Sequence, residues 1–178
     1  MTFLQVVTRT FGERGPLLAR NQASLAALED QDWEQTIVRD TVGRGCAWAN
    51  ANLATVPASA EYVWVLDDDD ECANPGLLGA LKPLRGAAVI VCRATHVRFG
   101  VLPHDEHWGA APVLGDCGWS NLLVRGDVWE AHRGYLAECG VYEGDYRFAA
   151  HLWESVEPFA WLDLVAAHYP RVSAGARE

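Results

Sequence analysis

The sequence predicts one α/β domain built on a mostly parallel central sheet flanked by helices. Three observations predict it. Strand candidates alternate with helix candidates through the first half of the chain. The strand after residue 61 is apolar throughout, Tyr62-Val63-Trp64-Val65-Leu66, as strands covered on both faces are. The chain has 178 residues, and a domain holds about 100–200. Strand-helix alternation implies parallel strands joined by right-handed crossovers.

Phe3 to Thr8 is the first strand, closed by glycines at Gly12 and Gly15. Pro16 suits the first turn of a helix with Leu17, Leu18, Leu25 and Leu28 on one face. Thr36-Ile37-Val38 is a second strand ending at Asp40, and Gly43 and Gly45 lead into a helix through Trp48, Leu53 and Val56. The third strand stops at four consecutive aspartates, and Asn74-Pro75 opens a helix containing Leu77, Leu78 and Leu81. The second half is less regular. Ala87 to Cys92 is a strand running on towards Phe99, and residues 100–116 read as a long loop. Trp119 to Arg125 is a further strand, followed by a helix from Asp127. Glu143 to Trp153 is helical, with Phe148 and Leu152 on one face, and Val156 to Val165 is the last strand.

Composition narrows the partners. Apolar residues at 50 % and charged residues at 21 % exclude intrinsic disorder. The longest apolar stretches, 87–92 and 164–167, fall far short of the about 20 residues a helical membrane span requires. The first residues carry no basic segment ahead of an apolar one, so a cytoplasmic location without a secretory signal is expected. A net charge of −10 disfavours nucleic acid, whose phosphates are bound by Lys and Arg. The five cysteines form no Cys-x-x-Cys pair, and their odd number speaks against a disulfide framework.

The strongest chemical signal is Asp67-Asp68-Asp69-Asp70-Glu71 directly after an apolar strand. Parallel sheets bind ligands at the carboxyl ends of their strands. Clustered carboxylates repel one another, and Mg²⁺ or Mn²⁺ relieves that repulsion while bridging to substrate phosphates. A solvated acidic turn is the plainer alternative. An EF-hand from Asp67 fails, because glycine and glutamate are needed where Cys72 and Leu78 stand. A dinucleotide fold fails too, because Gly43-Arg44-Gly45 follows the second strand and Trp48 occupies the third glycine's place. An aspartyl-phosphate phosphatase, with Asp67 as nucleophile and Asp69 as acid, fits the strand end. Its lysine would have to be Lys82, the single lysine of the chain.

Thr8-Arg9-Thr10 after the first strand, Asp40 after the second and Leu66-Asp67-Asp68-Asp69-Asp70 after the third resemble glycosyltransferase family 2, nucleotide-sugar enzymes of the GT-A fold. Ser24-Leu25-x-x-Leu28 with Gln31 and Trp33 is similar to that family's first helix and its exit. These motifs cover residues 1–85, the nucleotide-sugar-binding half. The resemblance implies that Thr8, Arg9 and Asp40 hold the nucleotide, that Asp69 ligates Mn²⁺ or Mg²⁺, and that Asp67 lies near the ribose or the metal. In residues 86–178, the acceptor half, Gly118 to Arg125 resembles an acceptor-side strand, with Trp119 placed to stack on a sugar. Glu143-Gly144-Asp145 is similar to a Glu-Asp catalytic helix start, so Asp145 is the expected general base and Glu143 its rival. His168 stands where relatives carry a late histidine near the metal. The usual Arg-Asn pair of the second helix appears as Ala51-Asn52, which moves an arginine contact to Arg44.

The expected function is therefore an inverting, metal-dependent glycosyl transfer from a nucleotide-diphosphate sugar. The phosphatase and a non-catalytic nucleotide-sugar or metal-binding module are the alternatives. The sequence decides neither the acceptor (glycan, lipid, protein or small molecule) nor whether the chain is a homo-oligomer. His104-Asp105-Glu106-His107 has metal-capable side chains but sits in a Pro/Gly loop, and reads as loop surface. His96, His132 and His151 read as packed or surface residues, and Trp108 as packing or a sugar platform.

Overall fold

A computed structural model describes residues 1–139 and 142–170. The first half follows the predicted alternation. Strand β1 (Thr2–Phe11) leads to helix α1 (Gly15–Ala26), β2 (Trp33–Asp40), α2 (Cys46–Leu53) and β3 (Ala60–Val65). A two-residue strand β4 (Glu71–Cys72) and a short helix α3 (Leu77–Leu81) follow. Pro83, which lacks an N–H, stands in the 3₁₀ turn that ends α3.

The second half departs from the expectation of a mostly parallel sheet. It contributes β5 (Val89–His96), β6 (Gly100–Leu102), β7 (Leu122–Arg125), α4 (Gly126–His132), α5 (Gly144–Ser155) and β8 (Phe159–Tyr169). The sheet order is β2-β1-β3-β7-β5-β8-β4, with β6 beside β5. Parallel pairing holds for β1–β2, β1–β3 and β5–β8, whereas β3–β7, β5–β7, β5–β6 and β4–β8 are antiparallel. The sheet is mixed. After α3 no helix separates β5 from β6, and only residues 97–99 join them, a hairpin connection that forces reversal. The predicted loop at 100–116 accordingly begins as strand β6.

Trp119 also lies outside its predicted strand. Residues Trp119–Asn121 form a 3₁₀ turn, because Asn121 donates its backbone N–H to the Gly118 carbonyl and accepts from the Gly118 N–H through Oδ1. The Asn121 amide then reaches the carbonyls of Cys92 and Leu102 at 3.0 Å each, joining this turn to β5 and β6.

Both sheet faces are covered. Along β3, Tyr62, Trp64 and Leu66 pack with α1 and α3, while Val63 and Val65 face α2, α4 and α5. Period-two alternation between two apolar layers is why this strand is apolar at every position. The indole of Trp64 donates to the Ser120 carbonyl at 3.0 Å and that of Trp129 to the Val56 carbonyl at 2.8 Å, so neither buried N–H is left unpaired. Among the described residues no helix is long and apolar enough to cross a membrane.

Helix α4 starts against β3 with no room to spare. A Cβ on Gly126 would lie 2.6 Å from the Ala60 carbonyl oxygen, which belongs to the strand backbone. Gly126→Ala is expected to destabilise the fold by about 1–3 kcal/mol, the usual cost of overpacking. Urea denaturation measures it, and an unchanged midpoint would show that α4 can shift freely.

Candidate functional site

The chain leaves β1 on one side to form β2 and returns on the other to form β3. That reversal creates a crevice at the carboxyl ends of three parallel strands, the place where open α/β sheets bind ligands. A cleft of about 290 Å³ opens there, with Arg9, Thr10, Asp67 and Asp68 within it and Asp40 and Trp48 on the β2–α2 side. Gly43 and Gly45 border the cleft in the left-handed region, with φ of 72° and 83°. A side chain at either would be strained.

The acidic run is divided among separate partners. Arg9 grips Asp67 with two hydrogen bonds, Nε to Oδ1 at 2.7 Å and Nη2 to Oδ2 at 2.6 Å. Thr10 donates its hydroxyl to Asp68 Oδ2 at 2.5 Å. Arg14 pairs with Asp69 at 2.5 Å and places Nη1 3.0 Å from Asp68 Oδ1. Asp70 accepts from the Ser120 hydroxyl at 2.8 Å, and Glu71 lies 2.5 Å from Arg20. Asn21, fully buried in α1, donates to the carbonyls of Asp67 and Asp70 and so holds the turn from behind. Arginines therefore relieve much of the mutual repulsion that the sequence reading assigned to a cation.

Burial governs the rest of the electrostatics. It pushes the Asp68 carboxyl up to about 6, against the opposing pull of Thr10 and Arg14 and with help from Asp69 and Asp67. Asp70 is raised well above the ordinary carboxylate range, first by burial and then by the neighbouring Asp67 and Asp69. Asp68 is 1 % exposed, and its Oδ1, 3.0 Å from Arg14 Nη1, accepts no hydrogen bond. A cluster of carboxylates with one such oxygen suits a hard divalent cation. Asp67 and Asp69 are the aspartates of the run with the more exposed side chains, 28 % and 22 %, and Asp67 also lines the cleft.

Helix α5 brings Asp145 to the same place. Burial raises its carboxyl, the Tyr146 N–H and Arg9 lower it, and Asp67 raises it again. Glu143 is 44 % exposed and faces Arg147, 3.8 Å away on the outer side of the helix. The geometry thus turns Asp145 inward and Glu143 outward. The intervening glycine has a steric reason. A Cβ on Gly144 would fall 2.1 Å from Asn50 Nδ2, and Asn50 Oδ1 accepts from Arg9 Nη1 at 2.9 Å. The start of α5 can approach α2 because residue 144 has no side chain. Gly118 passes equally near, since a Cβ there would lie 3.2 Å from Asp145 Oδ2 and from the Tyr169 hydroxyl.

Other predicted residues are placed differently from expectation. Thr8 is fully buried and bonded to Gln35 at 2.8 Å, so the hydroxyl of β1 that reaches the cleft is Thr10. Asp40 borders the cleft, but its carboxylate is occupied by the backbone N–H groups of Val42, Gly43 and Arg44. Burial would raise that carboxyl, and the three donors outweigh it and hold it low. Arg44 is exposed and lies over the Trp48 ring at 5.0 Å, and the arginine that meets a helix α2 asparagine is Arg9. Trp119 is 7 % exposed, packed on Phe148 with Arg9 above it at 5.6 Å, and offers no open face. His168 pairs in register with Glu71 and Thr95, and its Nδ1 meets the Thr95 hydroxyl at 2.7 Å. Lys82 pairs with Asp30 and Asp32 and lies over the Phe3 ring, near the start of β1. That removes the lysine a phosphatase would need.

No protein-family profile matches the chain, and no curated protein matches it in sequence. Solved structures match it in fold. S. aureus TarS 1–349 aligns with a TM-score of 0.63 at 15 % identity, over 93 % of this chain and 60 % of that chain. The same fragment has been solved in complex with UDP and with UDP-GlcNAc. The glycosyltransferase GlyE of Streptococcus pneumoniae gives 0.54 at 13 % identity, over 91 % of this chain and 45 % of that chain. The 4-diphosphocytidyl-2C-methyl-D-erythritol synthase of Anaerococcus prevotii gives 0.53 at 10 % identity, over 91 % and 87 %. This chain thus spans less than two thirds of the TarS and GlyE chains. The likeness shows a GT-A-like fold, which by itself selects no reaction.

The buried Asp68 makes a pH-dependent prediction. Its carboxyl stays protonated to about pH 6 in the folded chain, whereas an unfolded aspartate ionises near about 4. Wild-type stability therefore falls across that interval as pH rises, and the loss is constant above it. Asp68→Asn lacks this titration and keeps an acceptor for Thr10. The variant's thermal midpoint, minus that of wild type, should grow from about pH 4 to about pH 6 and then level. A difference independent of pH would contradict the burial argument.

Proposed function

We propose that this chain transfers a sugar from a nucleoside-diphosphate sugar to an acceptor hydroxyl, with inversion at the anomeric carbon. One observation supports it above the others. Asp145 from the second half of the chain feels the charges of Arg9 and Asp67, two residues that line a cleft formed by the first half. In this reading a donor site and a base come together. UDP and UDP-GlcNAc, the molecules in the TarS complexes, are the first donors to test.

Each part has a chemical task in this reading. The nucleoside enters between the glycine turn held by Asp40 and the Trp48 side of the cleft. Asp40 acts through the backbone it fixes rather than through direct contact. Asp69 and Asp67 would hold Mn²⁺ or Mg²⁺, which when bound neutralises charge on the diphosphate. Freed from those carboxylates, the guanidinium groups of Arg9 and Arg14 face the same diphosphate, whose oxygens their planar forks suit. Asp145 takes the acceptor hydroxyl's proton as that oxygen bonds to the anomeric carbon. The bond from that carbon to the diphosphate breaks on the opposite side, and the nucleoside diphosphate leaves. A carboxylate whose pKa is raised by burial is a stronger base than an exposed aspartate.

Calorimetry with UDP in the presence and absence of Mn²⁺ tests the donor half. Asp69→Ala should lose the Mn²⁺-dependent part of the affinity, and equal binding by wild type and variant would refute the cation assignment. Asp145→Asn should bind UDP normally and turn over at least about a hundredfold more slowly, the lower end of a general base's contribution. For the wild type, activity should fall on acidification through a pKa above that of a free aspartate. Near-normal transfer by Asp145→Asn with an inactive Glu143→Gln would move the role to Glu143.

A further inference from the structure

A second group of side chains lies outside the cleft, in the loop between β6 and β7. His104 opens a 3₁₀ turn formed by Asp105–His107. Three residues per turn bring positions 104 and 107 to one side. Both imidazoles aim Nδ1 at the carboxylate of Asp116, His104 in close contact with Oδ1 and His107 2.7 Å from Oδ2. The His104 backbone N–H also donates to that carboxylate, at 3.0 Å to Oδ2. One ligand atom from each of the three residues lies within 4.8 Å of the others.

The charge balance points to a cation. Asp116 is 4 % exposed, and among the described residues no Arg or Lys pairs with it. Arg93, the guanidinium bound into this loop, is taken by Asp105 and Asp163 at 2.8 and 2.9 Å. Hydrogen bonds from two imidazoles leave this buried carboxylate without a fixed cationic partner, and a buried charge that lacks one is costly. Two imidazole nitrogens and one carboxylate oxygen are the donor set of zinc and similar first-row ions, not of Mg²⁺. The two rings remain part exposed, at 45 % and 34 %, so water can complete the coordination.

We propose that His104, His107 and Asp116 form a divalent transition-metal site, with Zn²⁺ the fitting ion. The site ties the start of the 104–116 loop to its end. Two residues beyond Asp116 the chain reaches Gly118, whose backbone runs against Asp145. A metal there is a staple that holds the 104–116 loop and the Gly118 turn in place. The proposal is independent of the glycosyl-transfer reading.

The test is Zn²⁺ titration of the chelator-treated full chain by calorimetry, with Co²⁺ absorption as a second readout of the ligand set. Wild type and Asp69→Ala should each take up one Zn²⁺ and gain thermal stability from it, as a ligand bound only by the native state requires. His107→Ala and His104→Ala should each weaken Zn²⁺ binding by more than about tenfold, since loss even of an outer-shell partner costs 10- to 100-fold. The half-exposed His104 keeps the test sound should His107→Ala fail to fold, and circular dichroism in chelator checks both. Zn²⁺ binding unchanged in both histidine variants overturns the assignment. So does a wild type that takes up no Zn²⁺, which would leave a purely hydrogen-bonded clasp.

Discussion

The ion pair between Arg9 and Asp67 is the contact on which the rest of the site depends. It joins the end of β1 to the second residue after β3 with two parallel hydrogen bonds, the strongest geometry a guanidinium and a carboxylate can adopt. The same guanidinium holds Asn50 of α2, and Asn50 packs where Gly144 admits the start of α5. One side chain thus sets the relative position of two strands, a helix from the first half and the helix carrying Asp145. Lysine cannot replace it, because a single ammonium group cannot satisfy Asp67 twice and still reach Asn50 in a fixed plane.

Much of this was legible in the sequence, and the parts that were not share a cause. The strand-helix alternation of residues 1–85 and the acidic run at a strand end depend on local pattern, and both were read directly. Asp145 and Glu143 were both visible as carboxylates at a helix start, and the structure turns Asp145 inward and Glu143 outward. Contacts between distant residues left no such trace. Nothing near Asp68 announces Thr10, nothing near Asp70 announces Ser120, and nothing around Asn21 shows that its amide spans the carbonyls of Asp67 and Asp70. His104 and His107 were visible as a pair, but their third partner, Asp116, lies across a loop without periodicity.

The second half was misread for a related reason. Apolar runs identify strands without giving their direction, and direction came from assuming the alternation continued. The three-residue link at 97–99 and the Asn121 hydrogen bonds reverse the chain instead. The 3₁₀ turn that follows explains Trp119. A strand would have presented its ring to one face of the sheet, whereas the turn folds it onto Phe148 under Arg9. Asp40 teaches the complementary point. Its place at a strand end was right, yet three backbone N–H groups reach its carboxylate before any ligand does.

The chain violates its own local rules where its chemistry is proposed to lie. A fold selected for stability alone would not bury Asp68 and Asp70, whose carboxyls are both driven upward, nor stack five acids in sequence behind a hydrophobic strand. Local inconsistency of this kind is expected at functional sites and is offset elsewhere. Here the offset is visible in two continuous apolar layers on either face of β3. The arginines give the arrangement a second property. In the proposed reaction Arg9 and Arg14, which line the cleft with side chains only 16 % and 25 % exposed, would have to exchange their carboxylates for the diphosphate as the cation arrives. The same two groups are then free to meet a polyanionic ligand. Asp68, buried behind them with Oδ1 3.0 Å from Arg14, would lose that charge in the exchange, and a cation taking its place would restore the balance.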